Sequence, residues 1–587
     1  MSKTSTKVKT MFEIVFDLEK DKEKREQAAS NLVVLARERA GSELLFKEGV
    51  VPQIARLMKV EKNYAIRLSM IRTIGSLCGK NEERAKAVLN ACGIPFFLDI
   101  LSSTNKEMVT ASSYIIQVIL EAIGHADIQK AIKEKKKDAR KMSADDRKWC
   151  RSEEARRAEL IKANQRELDS IMNVLTWNVT SRTITAEARD AIIDLIIKNC
   201  PYNELDWAHK MLKTDAYHRL MDVASEHKEY KNESSMDITD DTKPTVGACM
   251  GLLYEQMYDD AMRNAICDVT DKWVTEKLSR PSTESCVRAV IGITTLLNGC
   301  PELGQGQIAK EGVLNMMLTM AKTDDYVQQL AAVEAIIAAV QKKKDSNTIV
   351  NSGIDILKQL YQSKDDHIKV RALVGLCKLG ASAGHDASMR PFADGSTTKL
   401  AEACRRFLIN PGKDRDLRKW AADGLSYLTL DADVKEKLVD DEAAVKSLIE
   451  LAKADKSQDC AYGVVTIFVN CTNSFEKKEI DPEMIELAKF AKHHIPEDHE
   501  LDDPDFIDKR IFQLANYGMT SALVALSKTE SKNLKELISR VLNAICKFPE
   551  LRGLVVQQGM YYQISVNTFF GMSLIYSVRN IVQIYLN

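Results

Sequence analysis

Three histidines and three carboxylates crowd one short stretch: His493, His494 and His499 stand with Glu497, Asp498 and Glu500 around Pro496. Imidazole and carboxylate are groups that a divalent metal takes as ligands, but a metal centre also needs them at a spacing that lets them converge. A proline splits this group and no helical spacing links its members, so the stretch reads as an acidic loop and no metal is expected. Gly304-Gln-Gly306 lacks the third glycine, the preceding strand and the helix of a dinucleotide fingerprint, and no G-x-x-x-x-G-K-[ST] occurs. No nucleotide or other cofactor is expected, no catalytic residue emerges, and the chain does not read as an enzyme.

Other residues suit binding. Each amide of Asn470 and Asn473 offers a donor and an acceptor, enough to hold the backbone of an extended peptide; the alternative is that they cap or end a helix. Trp420, Tyr427 and Tyr462 are of the types that anchor interfaces. Their companions Ala421, Leu425, Leu428 and Val464 are core-like, so packing between stacked helices is the expectation. If the Trp420 ring is fully buried, Trp420→Ala costs ~3–5 kcal/mol of stability. Met316, Met317 and Met320 lie at helical spacing and read as core packing rather than as an adaptable groove.

The elements that must position these groups repeat. Between Glu311 and Gly380 one pattern occurs twice: a glycine (Gly312, then Gly353), a short apolar helix, two acidic residues, then a longer amphipathic helix. The first long helix carries Val327, Leu330, Val333, Ile336 and Ile337, the second Val370, Leu373, Leu376 and Leu379. The glycines are 41 positions apart (312 to 353), and earlier Gly49-Val-Val-Pro52 and Gly93-Ile-Pro95 open similar units 44 positions apart (49 to 93). Periods of ~40–47 residues belong to armadillo and HEAT helical repeats, whose units bury their apolar faces only in a stack. The pattern G-[IV]-[IPV]-x-[IL]-x-x-L resembles the armadillo repeat, and the expected fold is an all-α, right-handed armadillo solenoid.

Composition agrees. A chain of 587 residues with 45% hydrophobic and 28% charged residues is too long for one core, and its low aromatic content (6%) favours helix. Its 83 basic and 84 acidic residues leave a net charge of −1, so no global field recruits nucleic acid or a membrane surface. Thirteen cysteines, scattered and without a C-x-x-C pair, read as buried free thiols in a reducing compartment. No signal peptide or membrane-length apolar run occurs, and the expected location is cytoplasmic.

In chain order, residues 1–225 read as armadillo repeats interrupted by a charged helical excursion near 130–167, where intermixed signs indicate a solvated helix. Residues 226–246 read as an exposed polar loop, and 247–382 as further repeats. A break at 383–396 is followed by repeats over 397–559 and a hydrophobic tail at 560–587.

Four segments of the last block are distinctive: LRKWAADGLSYLTLDADVK (417–435), AYGVVTIFVNCTN (461–473), AKFAKHHIPEDHE (488–500) and VALSKTESKNLKELISR (524–540). With the repeats before them they closely resemble the UCS family of myosin chaperones, in particular the animal Unc-forty-five type, over roughly residues 12–559. The resemblance implies a client, the myosin motor domain, held without chemistry. It implies a second partner, the ninety-kilodalton heat-shock chaperone, docked in the family by an N-terminal tetratricopeptide domain. By the same resemblance, that domain and most of the UCS region are expected to be missing here, which puts docking by that route in doubt. A catenin-like scaffold for a folded partner is the alternative. An importin-like carrier is disfavoured because none of Trp149, Trp177, Trp207, Trp273 and Trp420 has Asn four residues on.

Overall fold

The computed structural model describes residues 3–17, 20–79, 81–136, 142–339, 346–382, 396–454, 460–473, 499–529 and 531–557. Among the described residues there is no strand, and the elements are α-helices with a few short 3-10 turns. The all-α expectation is what the chain adopts. It divides into two compact units, Met1–Lys310 and Glu311–Asn587.

In the first unit the long helices Lys22–Arg37, Tyr64–Cys78, Lys106–Ile123, Ala186–Asn199, Thr242–Glu255 and Thr283–Gly299 pack each against the next like rungs. Shorter helices such as Val50–Val60 and Ile94–Leu101 lie beside them. The second unit repeats the plan with Tyr326–Ala339, Asp366–Ser382, Arg415–Leu428, Ala461–Thr472 and Lys532–Cys546. Several rungs begin where a short polar side chain takes up amides that have no partner in the first helical turn. Asn63 Oδ1 accepts from the Ala65 N–H (2.9 Å), Asn105 Oδ1 from Glu107 (2.9 Å) and Asp414 Oδ1 from Leu417 (2.9 Å).

Gly49 and Gly312 turn the chain with φ of 69° and 85°, in the left-handed region that glycine enters without a side-chain clash. Gly353 behaves otherwise. The sequence suggests a break before Ile354, yet one helix runs unbroken from Ser346 to Tyr361. A glycine inside a helix costs only ~1 kcal/mol, too little to end a helix that its neighbours pack against.

The rungs Thr242–Glu255 and Thr283–Gly299 approach backbone to backbone. A Cβ at Gly299 would fall far inside van der Waals contact with the Gly247 carbonyl and Cα. The inward faces on either side are closed: Val246, Cys249, Met250, Val287, Val290 and Ile293 are fully buried.

The polar segment after the helix Ala216–Ala224 is more firmly held than its composition suggests. Glu226 and Met236 are buried, whereas Lys228 is exposed. Arg288, itself buried, pairs with Glu226 (3.0 Å) and Glu284 (3.1 Å) and donates to the Tyr230 carbonyl (2.8 Å). Arg189 donates to the carbonyls of Asp237 (3.0 Å) and Ser181 (3.0 Å). Two arginines, on the rungs to either side of Thr242–Glu255, therefore supply the partners that fix this loop. In the charged stretch near 130–167, the helices Ala126–Lys136 and Ala144–Ala163 pair Lys135 with Asp146 (2.6 Å) at the surface, while Arg157 is buried and donates to the Gly124 and His125 carbonyls.

Two predictions follow from this packing. Gly299→Ala forces two backbones apart and should lower stability by roughly 1–3 kcal/mol or more in urea unfolding; an unchanged midpoint would mean that the rungs do not touch there. The second concerns acid. Burial alone raises the Glu284 carboxyl, but the Glu233 amide, Arg288 and the Asn232 amide outweigh it and hold the group below its ordinary value. A carboxylate lowered in the folded state adds stability above its unfolded value, ~4.3, and loses it as pH falls through the folded value. Glu284→Gln should therefore flatten the acid limb of a pH series of unfolding midpoints, and identical limbs would contradict the assignment.

Candidate interaction surface

The candidate binding residues fall on the rungs of the second unit. On Arg415–Leu428, Leu417, Ala421, Ala422, Leu425 and Leu428 point into the core, while Trp420, Asp423 and Tyr427 lie half-buried along one flank. This is the outcome of 3.6-residue periodicity: positions three, four and seven apart share a face.

Each ring is covered by a cation from the preceding rung, Asp366–Ser382. The Arg371 guanidinium lies 4.7 Å from the Trp420 ring centroid and the Lys378 ammonium 5.1 Å from that of Tyr427. Arg371 also pairs with Glu334 of the rung before (2.7 Å) and with Asp416 (3.1 Å). Burial works against its charge, but those two carboxylates more than offset it and raise its basicity. Lys378, 3.7 Å from Asp423, differs: burial pushes its ammonium down and Asp423 only partly compensates. The Tyr427 phenol is pushed up by burial, with Asp423 and Tyr462 adding to the effect. Tyr462, on the next rung Ala461–Thr472, is 61% exposed. Four successive rungs thus contribute to one strip: Glu334, then Arg371 and Lys378, then Trp420 and Tyr427, then Tyr462. Such a strip offers apolar ring area beside charges already neutralised by partners, which suits many modest contacts rather than catalysis.

The two asparagines serve the fold. Asn470 is 4% exposed, and its amide donates to the Ser426 carbonyl (3.1 Å) and Thr429 Oγ1 (3.0 Å), joining two rungs. Asn473 ends the helix in the left-handed region, φ 43°. It accepts from Lys435 (3.2 Å) and donates to Asp502 (2.9 Å), which also pairs with the fully buried Arg510 (3.1 Å). Met317 and Met320 are buried and Met316 half-buried. Gly304 and Gly306 lie inside the helix Pro301–Ile308, with no phosphate-binding turn. His499 caps a 3-10 turn by accepting from Leu501 (3.2 Å), whereas His493, His494 and Glu497 lie outside the described residues. Among the described residues no cluster of three metal-ligating side chains occurs, and no helix is long and apolar enough to cross a membrane.

Sequence reasoning missed Arg371 and Lys378. A signal was available: two cations seven residues apart in a stretch that is otherwise apolar, VRALVGLCKLG. Because Trp420 is half-buried rather than enclosed, Trp420→Ala should cost roughly 1–3 kcal/mol, less than the ~3–5 kcal/mol of a fully buried ring. Urea unfolding measures this, and a loss at the higher figure would show that the ring is sealed in the core.

Comparison with known proteins accords with this architecture. Residues 190–404 match a family model described as "Myosin-binding striated muscle assembly central". The chain is 35% identical to the protein unc-45 homolog B of Danio rerio over 95% of its own length, and it spans 58% of that relative. Among solved structures, UNC-45 from Drosophila melanogaster is 48% identical, with a TM-score of 0.78, covering 95% of this chain and 68% of that one. The myosin chaperone UNC-45 from C. elegans, solved in complex with a Hsp70 peptide, is 30% identical with a TM-score of 0.74, covering 95% of this chain and 58% of that one. The armadillo-type helical stack is thus shared with these structures, and the chain belongs to the UNC-45 family.

Proposed function

We propose that this chain is a myosin-directed chaperone or co-chaperone that holds a partly folded motor domain against the second unit's ladder, acts without catalytic turnover and works in the cytoplasm. The observation that carries the reading is membership of the UNC-45 family, joined to the match with a myosin-binding central region. The strip from Arg371 to Tyr462 gives it a physical basis. A non-native client exposes scattered apolar groups, and a flank of half-buried rings beside paired cations can meet them by many weak contacts. Hsp70 and Hsp90 peptides accompany solved relatives; in this proposal a heat-shock chaperone is a cooperating partner and the myosin motor is the occupant of the strip.

Light scattering of a heat-stressed myosin motor domain tests the proposal. The chain should suppress aggregation in proportion to its concentration. No suppression, with stable binding of folded motor, would favour a catenin-like scaffold instead. Tyr462→Ala separates surface from stability: with its ring 61% exposed, it should change stability by no more than ~0.5 kcal/mol yet weaken suppression. Undiminished suppression would remove Tyr462 from the client surface.

A further inference from the structure

Two thiols of the second unit face each other. Cys377 on the rung Asp366–Ser382 and Cys404 on the helix Ser396–Leu408 hold their sulfurs 3.8 Å apart, both without solvent exposure. The third wall of this site is Gly424. A Cβ there would come 2.9 Å from Cys404 Sγ and 3.4 Å from Cys377 Sγ, so the missing side chain is what leaves room for the pair. Burial, then the neighbouring Cys404, pushes the Cys377 thiol well above its ordinary value, which holds Cys377 in the protonated, slower-reacting form.

We propose that Cys377 and Cys404 are a modification site at which a small peroxide closes a reversible intramolecular disulfide. One thiol, as its thiolate, attacks hydrogen peroxide and breaks the O–O bond; the leaving hydroxide takes up the thiol's proton, giving a sulfenic acid and one water. The second thiol displaces the sulfenic oxygen as another water, forming the S–S bond. Two thiols lose two electrons and two protons, and the peroxide is reduced to two waters. A disulfide spans ~2.05 Å, so the sulfurs must approach by roughly 1.8 Å to form it. The bond would tie the rung that carries Arg371 and Lys378 to the helix Ser396–Leu408. Gly424, against the sulfurs, lies one turn beyond Trp420 on the facing rung. The link therefore sits directly beneath the aromatic strip.

The test treats the full chain with hydrogen peroxide while circular dichroism shows the helices intact, then unfolds it in maleimide and digests it with trypsin without reduction. The expected product is ALVGLCK joined to LAEACR, two hydrogens lighter than their sum and separated by dithiothreitol. In Cys404→Ser that product should vanish and Cys377 should appear as its maleimide adduct. Recovery of both wild-type peptides as separate maleimide adducts would overturn the proposal, whatever happens to other thiols. So would a cross-link that appears only when the chain is oxidised in urea.

Discussion

The structure depends on one constraint: no rung helix can bury its apolar face alone. Ile66, Ile71, Ile115 and Ile192 in the first unit, and Leu373, Leu425, Val465 and Ile538 in the second, are closed to solvent because the next helix covers them. Within each unit the core is therefore a continuous seam between rungs. A repeat protein of this kind derives stability from neighbour contacts, and its flank is left free of structural duty over a long stretch.

Apolar contact favours stacking but says little about register, and buried arginines supply that. Arg288 pairs with Glu226 and Glu284, Arg371 with Glu334 and Asp416, and Arg510 with Glu436 and Asp502. Arg371 has its partners at only one alignment of three rungs, while Arg288 ties its rung to the loop at Glu226, because a buried guanidinium that loses its partners leaves an uncompensated charge, at ~3–5 kcal/mol. At Arg371 the same device also builds surface: the pairs that fix the rung hold the guanidinium over Trp420. Stability and recognition thus meet in one side chain.

Much of this was legible in the sequence. The glycine-opened short helix and the long amphipathic helix after it reflect local chemistry, namely a left-handed turn and an apolar stripe, and Gly49 and Gly312 behave accordingly. Gly353 misled because a glycine permits a turn without requiring one. The loop after Ala224 looked exposed because its anchors, Arg189 and Arg288, lie on other helices and long-range pairing leaves no local trace. At the candidate surface the aromatic residues were visible by type, whereas their covering cations were not, since nothing within one helix announces which residue of the next will lie across it. Asn470 shows the converse: an amide suited to a peptide is instead taken up by Ser426 and Thr429.

Hydrogen exchange of the chain with and without a heat-stressed myosin motor domain tests the central claim most directly. If the ladder flank of the second unit holds the client, added protection should concentrate in the rungs Asp366–Ser382, Arg415–Leu428 and Ala461–Thr472. Protection confined to the first unit, or no change on those three helices while the motor is held in solution, would contradict the account.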